Sequence, residues 1–222
     1  STALTQYKSY QWKVLAVNVI GKSPYSNSTD FKPILPTPVP SSPSGNITTT
    51  KPAYVWSRIS GATTYKLTVY DIAGGVNLFS VNVSSSSCST STNKCTYTPS
   101  TTLTTNKDYQ WKVYAGNSAG ISAESSPITI KPTPPAVPAI ESPSGDVTTT
   151  KPAYVWARVS GATSYKLVVY DVAGAKNLIN SSVSSSYRST TTNKCAYSPS
   201  TSLVQYKDYQ WKVLAANAAG SS

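Results

Sequence analysis

A five-residue ribbon, Tyr109-Gln110-Trp111-Lys112-Val113, occurs three times, returning as Tyr10-Gln11-Trp12-Lys13-Val14 and as Tyr209-Gln210-Trp211-Lys212-Val213. Its alternation is that of an extended strand: Tyr109, Trp111, Val113 and Ala115 fall on one face, Gln110, Lys112 and Tyr114 on the other. A strand that is apolar on one side has to bury that side against a second sheet. Each copy therefore predicts one β-sandwich, and Trp12, Trp56, Trp111, Trp156, Trp211, Tyr109 and Tyr209 are the expected core aromatics.

The rest of the chain repeats on the same spacing. Trp56 and Trp156 stand 100 positions apart, as do Trp111 and Trp211. Lys51-Pro52-Ala53-Tyr54-Val55-Trp56 recurs as Lys151-Pro152-Ala153-Tyr154-Val155-Trp156. A period of about 100 residues is too long for a solenoid unit and right for an independent small sandwich. The expected organisation has five parts. Residues 1–33 are the C-terminal part of a repeat, and 34–40 a proline-rich linker. Residues 41–131 are a complete repeat, 132–140 a second linker, and 141–222 a repeat lacking its last strand. The prolines of both linkers predict polyproline II, a semi-rigid spacer.

Within 41–131, strands are expected at residues 53–59, 64–70, 77–83 and from 95, then at the aromatic ribbon and at 121–130. About seven short strands with frequent turn signals form the sandwich signature. Trp56, then Tyr65-x-Leu67-x-Val69, then Leu103, Tyr109, Trp111, Val113, Ala115, Asn117 and Gly120 give a pattern that resembles the fibronectin type III domain. The resemblance implies an all-β fold of tandem seven-stranded sandwiches joined by proline-rich linkers. It also implies that Tyr10, Tyr109 and Tyr209 form the tyrosine corner, each hydroxyl bonded back to nearby backbone. The Ser-Gly-Ala-Thr turns and proline joints resemble tandem repeats of prokaryotic surface and fibre proteins. Trp111 departs from the family pattern, which carries an aliphatic there.

Both ends fall inside a repeat, which leaves two arrangements open. The chain is a slice of a longer covalent array, or its open seam takes an extended donor strand from another copy. Residues 23–33, with Ser23, Tyr25, Asn27, Thr29 and Phe31 on one edge, are the candidate donor. In either arrangement the partner is self, in a head-to-tail array.

Chemistry is sparse. Histidine is absent and eight acidic residues are scattered singly, so no nucleophile–base pair, paired carboxylates or metal-ligand set is visible. No enzyme activity, metal or cofactor is expected. The net charge of +11 comes from single lysines at repeated positions rather than from the clusters that bind nucleic acid. Such lysines keep sheet edges soluble, with an anionic cell-surface polysaccharide as the functional variant. No apolar run is long enough for a membrane span.

Cys88 and Cys95 flank a short loop and are expected to form a disulfide, suited to an oxidising, extracellular compartment and contributing about 2–2.5 kcal/mol. Arg188 stands where Cys88's counterpart would be. Cys195 is therefore an unpaired cysteine, either a buried remnant or an inter-chain bridge. Asn27, Asn46, Asn82 and Asn180 lie in Asn-x-Ser/Thr sequons and are candidates for N-glycosylation. Roughly three residues in ten are serine or threonine. The densest tracts (Thr48, Thr49 and Thr50; Ser84, Ser85, Ser86 and Ser87; Thr148, Thr149 and Thr150; Ser184, Ser185, Ser186, Thr190, Thr191 and Thr192) read as O-glycosylated surface or as polar loop. Tyr70, Tyr114 and Tyr170, on the outward strand face, are a candidate stacking platform for sugars.

The resulting expectation is an extracellular structural segment, either a pilus-like filament or a surface stalk, carrying covalent glycans. The alternative is a carbohydrate- or surface-binding adhesin module, or the spacer of a secreted polysaccharide-degrading enzyme.

Overall fold

The computed structural model describes residues 3–189 and 191–222, so Thr190 of the hydroxyl tract lies outside the described residues. The chain forms two compact units. One comprises Ser1–Ser44, Ala53–Pro99 and Tyr109–Thr129; the other comprises Gly45–Pro52, Ser100–Asp108 and Ile130–Ser222.

In the first unit, alternation in the sequence becomes alternation of burial. Tyr65, Leu67, Val69 and Asp71 of the strand Thr64–Asp71 are buried, and so are Tyr109, Trp111, Val113 and Ala115 of Tyr109–Asn117. The two strands pair antiparallel with Trp111 opposite Val69, Val113 opposite Leu67 and Ala115 opposite Tyr65, which puts all six side chains on one face. Val76–Ser84 extends this sheet on one side and Gly120–Ile121 on the other. A separate four-stranded sheet runs in the order Pro40–Ser42, Tyr54–Ser57, Lys94–Tyr97, Cys88–Ser89. Tyr54 and Trp56 on this sheet meet the other in edge-on and tilted ring contacts: Tyr54 with Trp111 at 5.2 Å, Trp56 with Tyr65 at 5.7 Å. Such pairs contribute roughly 0.5–1.5 kcal/mol each beyond the area they bury.

The second unit repeats the arrangement. One sheet orders Ile140–Ser142, Tyr154–Ala157, Lys194–Tyr197, Arg188–Ser189; the other orders Lys176–Ser184, Ser164–Asp171, Tyr209–Asn217, Gly220–Ser221. A single buried cluster draws Tyr154, Trp156 and Cys195 from one sheet and Tyr165, Leu167, Val169 and Val213 from the other. This unit also holds a parallel pairing, with Ile130 opposite Gly45 and Pro132 opposite Ile47. The class is all-β, as expected.

Several expectations are corrected. Trp12, placed in a core, is 54% exposed. Its strand, Tyr10–Trp12, belongs to a two-stranded sheet with Thr29–Phe31, and Tyr10 is met by a ring contact with Phe31 and by the Lys8 ammonium 5.7 Å from its ring centroid. Among the described residues no second sheet faces it. Trp211 and Tyr209 do pack against the core of the second unit but stay half-buried; among the described residues the outer edge of their strand is paired only at Ala216 and Asn217.

The linkers are not free spacers either. Leu35 and Pro38 are buried in the first unit, Pro135 and Pro138 in the second. Their apolar surface docks instead of staying hydrated. The expected strand at 121–130 is two short pieces, Gly120–Ile121 and Ile128–Pro132. Between them Ser122 and Ser125 take over the ladder: their backbone N–H groups donate to Ala115 and Val113, and their hydroxyls accept from the N–H groups of those same residues at 3.0 and 3.1 Å.

Candidate inter-repeat joint

Each aromatic ribbon is preceded by a tight corner. Tyr10 Oη accepts a hydrogen bond from the Thr5 N–H at 2.7 Å, and Tyr209 Oη accepts one from the Val204 N–H at 3.0 Å. This bond back to the residue five positions upstream turns the chain sharply, and the Thr5 side chain first, then its backbone N–H, draws the Tyr10 phenol below its ordinary pKa. One residue in each corner adopts the left-handed region: Tyr7 at φ 61°, Asn106 at φ 62° and Tyr206 at φ 61°. Asparagine tolerates this conformation, but for a bulky aromatic it is uncommon and needs a compensating contact.

In the first unit that contact is visible. Tyr7 donates its N–H to Pro33 O at 2.7 Å, and its Oη accepts from the Leu35 N–H at 3.1 Å, which fixes the start of the linker. The Tyr7 ring then covers Gly120 so closely that a Cβ added there would lie 2.8 Å from Tyr7 Cδ1. Beside it, Gln6 Oε1 accepts from Asn117 Nδ2, which also donates to Gly61 O at 3.0 Å. Asn117 Oδ1 accepts from the N–H groups of Ala119 and Gly120, holding the turn that Tyr7 covers.

The second unit brings the corresponding corner and turn together, sharing the bond to the linker proline but otherwise using different contacts, with Pro134 over Gly220 where Tyr7 lies over Gly120. The Asn106 N–H donates to Pro132 O at 2.8 Å, and Thr105 Oγ1 donates to Ala219 O at 2.8 Å. Asn217 Nδ2 donates to Thr133 O at 3.1 Å while its Oδ1 accepts from the Ala219 N–H. Thr48 lies over Gly161, and Thr49 bridges to Ala218. A concavity of ≈ 280 Å³ runs through this joint. None of these polar groups is arranged for bond-making chemistry. Among the described residues no cluster of His, Cys, Asp or Glu could hold a metal.

The other residues singled out in the sequence take these places. Cys88 and Cys95 form a disulfide between residues directly opposite in the antiparallel pair. Cys195 is a free thiol, fully buried and opposite Trp156, which removes it from reach of another chain. Asn27, Asn46, Asn82 and Asn180 are exposed. The hydroxyl tracts are partly committed to turns. Ser84 Oγ accepts from Ser86, Ser184 Oγ accepts from Ser186, and Thr49 and Thr149 accept from the N–H groups of Lys51 and Lys151.

Residues 23–33 pair with their own ribbon, Tyr10 opposite Phe31 and Trp12 opposite Thr29, rather than standing free as a donor. Ser23 and Ser26 repeat the serine bonds of Ser122 and Ser125. Tyr70 and Tyr114 do not form a platform. Tyr70 stands opposite Gln110, and Tyr114 is four residues further along that strand, so they are about 13 Å apart. Asp71 and Asp171 cap their hairpins by accepting from the Gly74 and Gly174 N–H groups at 3.0 and 2.9 Å. The joint had a sequence signal, Asn-x-x-Gly and Gln-Tyr each occurring at a fixed offset from the ribbon, but nothing in the sequence shows that they meet.

The two facing sheets and their strand order define a fibronectin type III-like all-β sandwich. Among solved structures, the crystal structure of chicken CNTN1 FN1–FN3 domains is similar, with a TM-score of 0.38 and 18% identity, covering 98% of this chain and 73% of that one. No protein-family model matches the chain, and no curated protein matches it in sequence.

Proposed function

We propose that the chain is a structural segment of an extracellular fibre or surface stalk, built from tandem sandwiches and bearing covalent glycans. The observation that supports this reading is that corresponding corner and turn positions meet twice, Gln6 and Tyr7 on Asn117 and Gly120, then Thr105 on Ala219, although the individual bonds differ. A binding module needs one surface, whereas a structural array needs one reproducible joint. The Cys88–Cys95 disulfide suits an oxidising exterior. The exposed sequons at Asn27, Asn46, Asn82 and Asn180 offer sites for glycans along the segment.

Electron microscopy of native material, with mass mapping of the peptides carrying those four asparagines, tests the reading. A fibre with a regular axial repeat and added hexose mass is expected. Isolated particles that bind a glycan array through one face would overturn it.

A further inference from the structure

Of the pair and turn that meet in the first unit, Gln-Tyr occurs once more and Asn-x-x-Gly twice more; Asn217–Gly220 is covered by Pro134, whereas the second Gln-Tyr and the remaining turn are open. Gln205 and Tyr206 match Gln6 and Tyr7 residue for residue, with Tyr206 in the same left-handed conformation, φ 61° against 61°. Yet Tyr206 is 104% exposed, whereas Tyr7 lies against Gly120. Val204 beside it is exposed as well.

The matching turn is Asn18 to Gly21. Asn18 Oδ1 accepts from the Ile20 and Gly21 N–H groups at 2.9 and 3.0 Å, as Asn117 Oδ1 does from Ala119 and Gly120. The space over Gly21 is empty to 4 Å, where Gly120 carries the tyrosine ring. Val19 and Ile20 on this turn are almost wholly in solvent, and an open concavity of ≈ 490 Å³ lies against it. A left-handed aromatic with no contact, and an ordered apolar turn with no cover, are the two halves of a joint the chain already makes.

We infer that a second copy of this chain docks head to tail, with Tyr206 of one copy seated on Gly21 of the other and Gln205 accepting from Asn18 Nδ2. The occupant is self because the surfaces are complementary in the same residues that already pack together at Tyr7 and Gly120. This is a heterologous contact, each copy giving a different face, so it propagates instead of closing as a two-fold dimer. The inference rests on the reading of the chain as a repeated structural segment and names its partner and contact.

Analytical ultracentrifugation of the full chain over a concentration series tests it, with Tyr206→Ala and Gly21→Leu as variants. Both positions are exposed, and circular dichroism checks that both variants keep their sheets. Concentration-dependent oligomers are expected for the unaltered chain, weakened about thirtyfold or more in either variant. An equimolar mixture of the two variants should form dimers and stop there, since each retains one intact face. Oligomers that persist unchanged in both variants would overturn this contact but leave a fibre built through another surface. A chain that stays monomeric at every concentration would overturn self-docking. Regular fibres in native material would then still support the structural reading through a covalent array, and their absence would remove that reading too.

Discussion

Arg188 faces Cys195 across an antiparallel pair, at the register position where Cys88 faces Cys95. The two pairs share one register, with an arginine where the Cys88–Cys95 pair has its second sulfur. Arg188→Cys should therefore oxidise without rearrangement. The expected result is loss of two hydrogens by intact mass and no thiol titratable in the unfolded, unreduced chain, with a stability gain of about 2 kcal/mol in chemical denaturation. In the unaltered protein the Cys195 thiol should react with an aromatic disulfide reagent only after unfolding, because it is fully buried. Rapid reaction in the native state would contradict the core described here.

Tyr54 carries a hydroxyl buried with no hydrogen-bond partner among the described residues. Burial pushes its phenol well above the ordinary value, with a smaller contribution from nearby Tyr109. A buried polar group left unsatisfied costs about 1–3 kcal/mol. Tyr54→Phe keeps the ring contacts with Phe79 and Trp111 and removes only that oxygen. Its denaturation midpoint should match or exceed that of the unaltered chain. A loss of more than about 1 kcal/mol would mean the hydroxyl has a partner.

Asp171 ties a hairpin together. Its carboxylate accepts from the Gly174 N–H and pairs with Lys207 at 3.4 Å, and the Gly174 bond, then Lys207, holds its pKa below the ordinary 3.8. The folded-state pKa is depressed, so the stabilisation is full above 3.8 and fades as pH falls through the folded value. Asp171→Asn should be less stable at neutral pH, and the gap should close in acid, measured as denaturant midpoints at both ends of that range. Gly174→Ala places a Cβ 2.8 Å from Asp171 Oδ2 and should destabilise the same hairpin. The two changes together should cost less than their sum, since both act on one carboxylate.

Ser125 is 4% exposed, and its hydroxyl accepts from the Val113 N–H while donating to Ser126 O. Ser26 makes the same pair of bonds in the open, with Val14 and Asn27. Water can replace the lost partner at Ser26 but not at Ser125. Ser125→Ala should cost about 1–3 kcal/mol and Ser26→Ala at most about 0.5 kcal/mol. Equal effects in thermal or chemical melts would contradict the role of burial here.

How much of this was legible in the sequence depended on the length of the pattern. Tyr65-x-Leu67-x-Val69 and the aromatic ribbon ran through enough alternations to fix which faces are buried. Pro40–Ser42 and Gly45–Ile47 are three residues each, interrupted at Pro43, and three residues carry almost no period. The stretch from Ser122 to Ser125 was hidden for a different reason: side-chain oxygens stand in for a backbone ladder, and they leave no hydrophobic rhythm. Trp12 shows the converse. Its ribbon is the same as that of Trp111, but burial needs an opposing sheet, and sequence identity cannot supply one. The joint lay furthest from view, because Gln6 and Asn117 are 111 residues apart and meet only once both corners have folded.

The serine bonds of the 122–125 stretch also bear on which substitutions this chain can tolerate. Serine and threonine are commonly treated as interchangeable, and in tracts such as 84–87 they can drift into one another freely. At Ser122 and Ser125 an added methyl group would enter closed space beside the amide that each oxygen serves. Those two positions should reject threonine as firmly as alanine, so in a lineage of such repeats they would stay fixed while their neighbours vary.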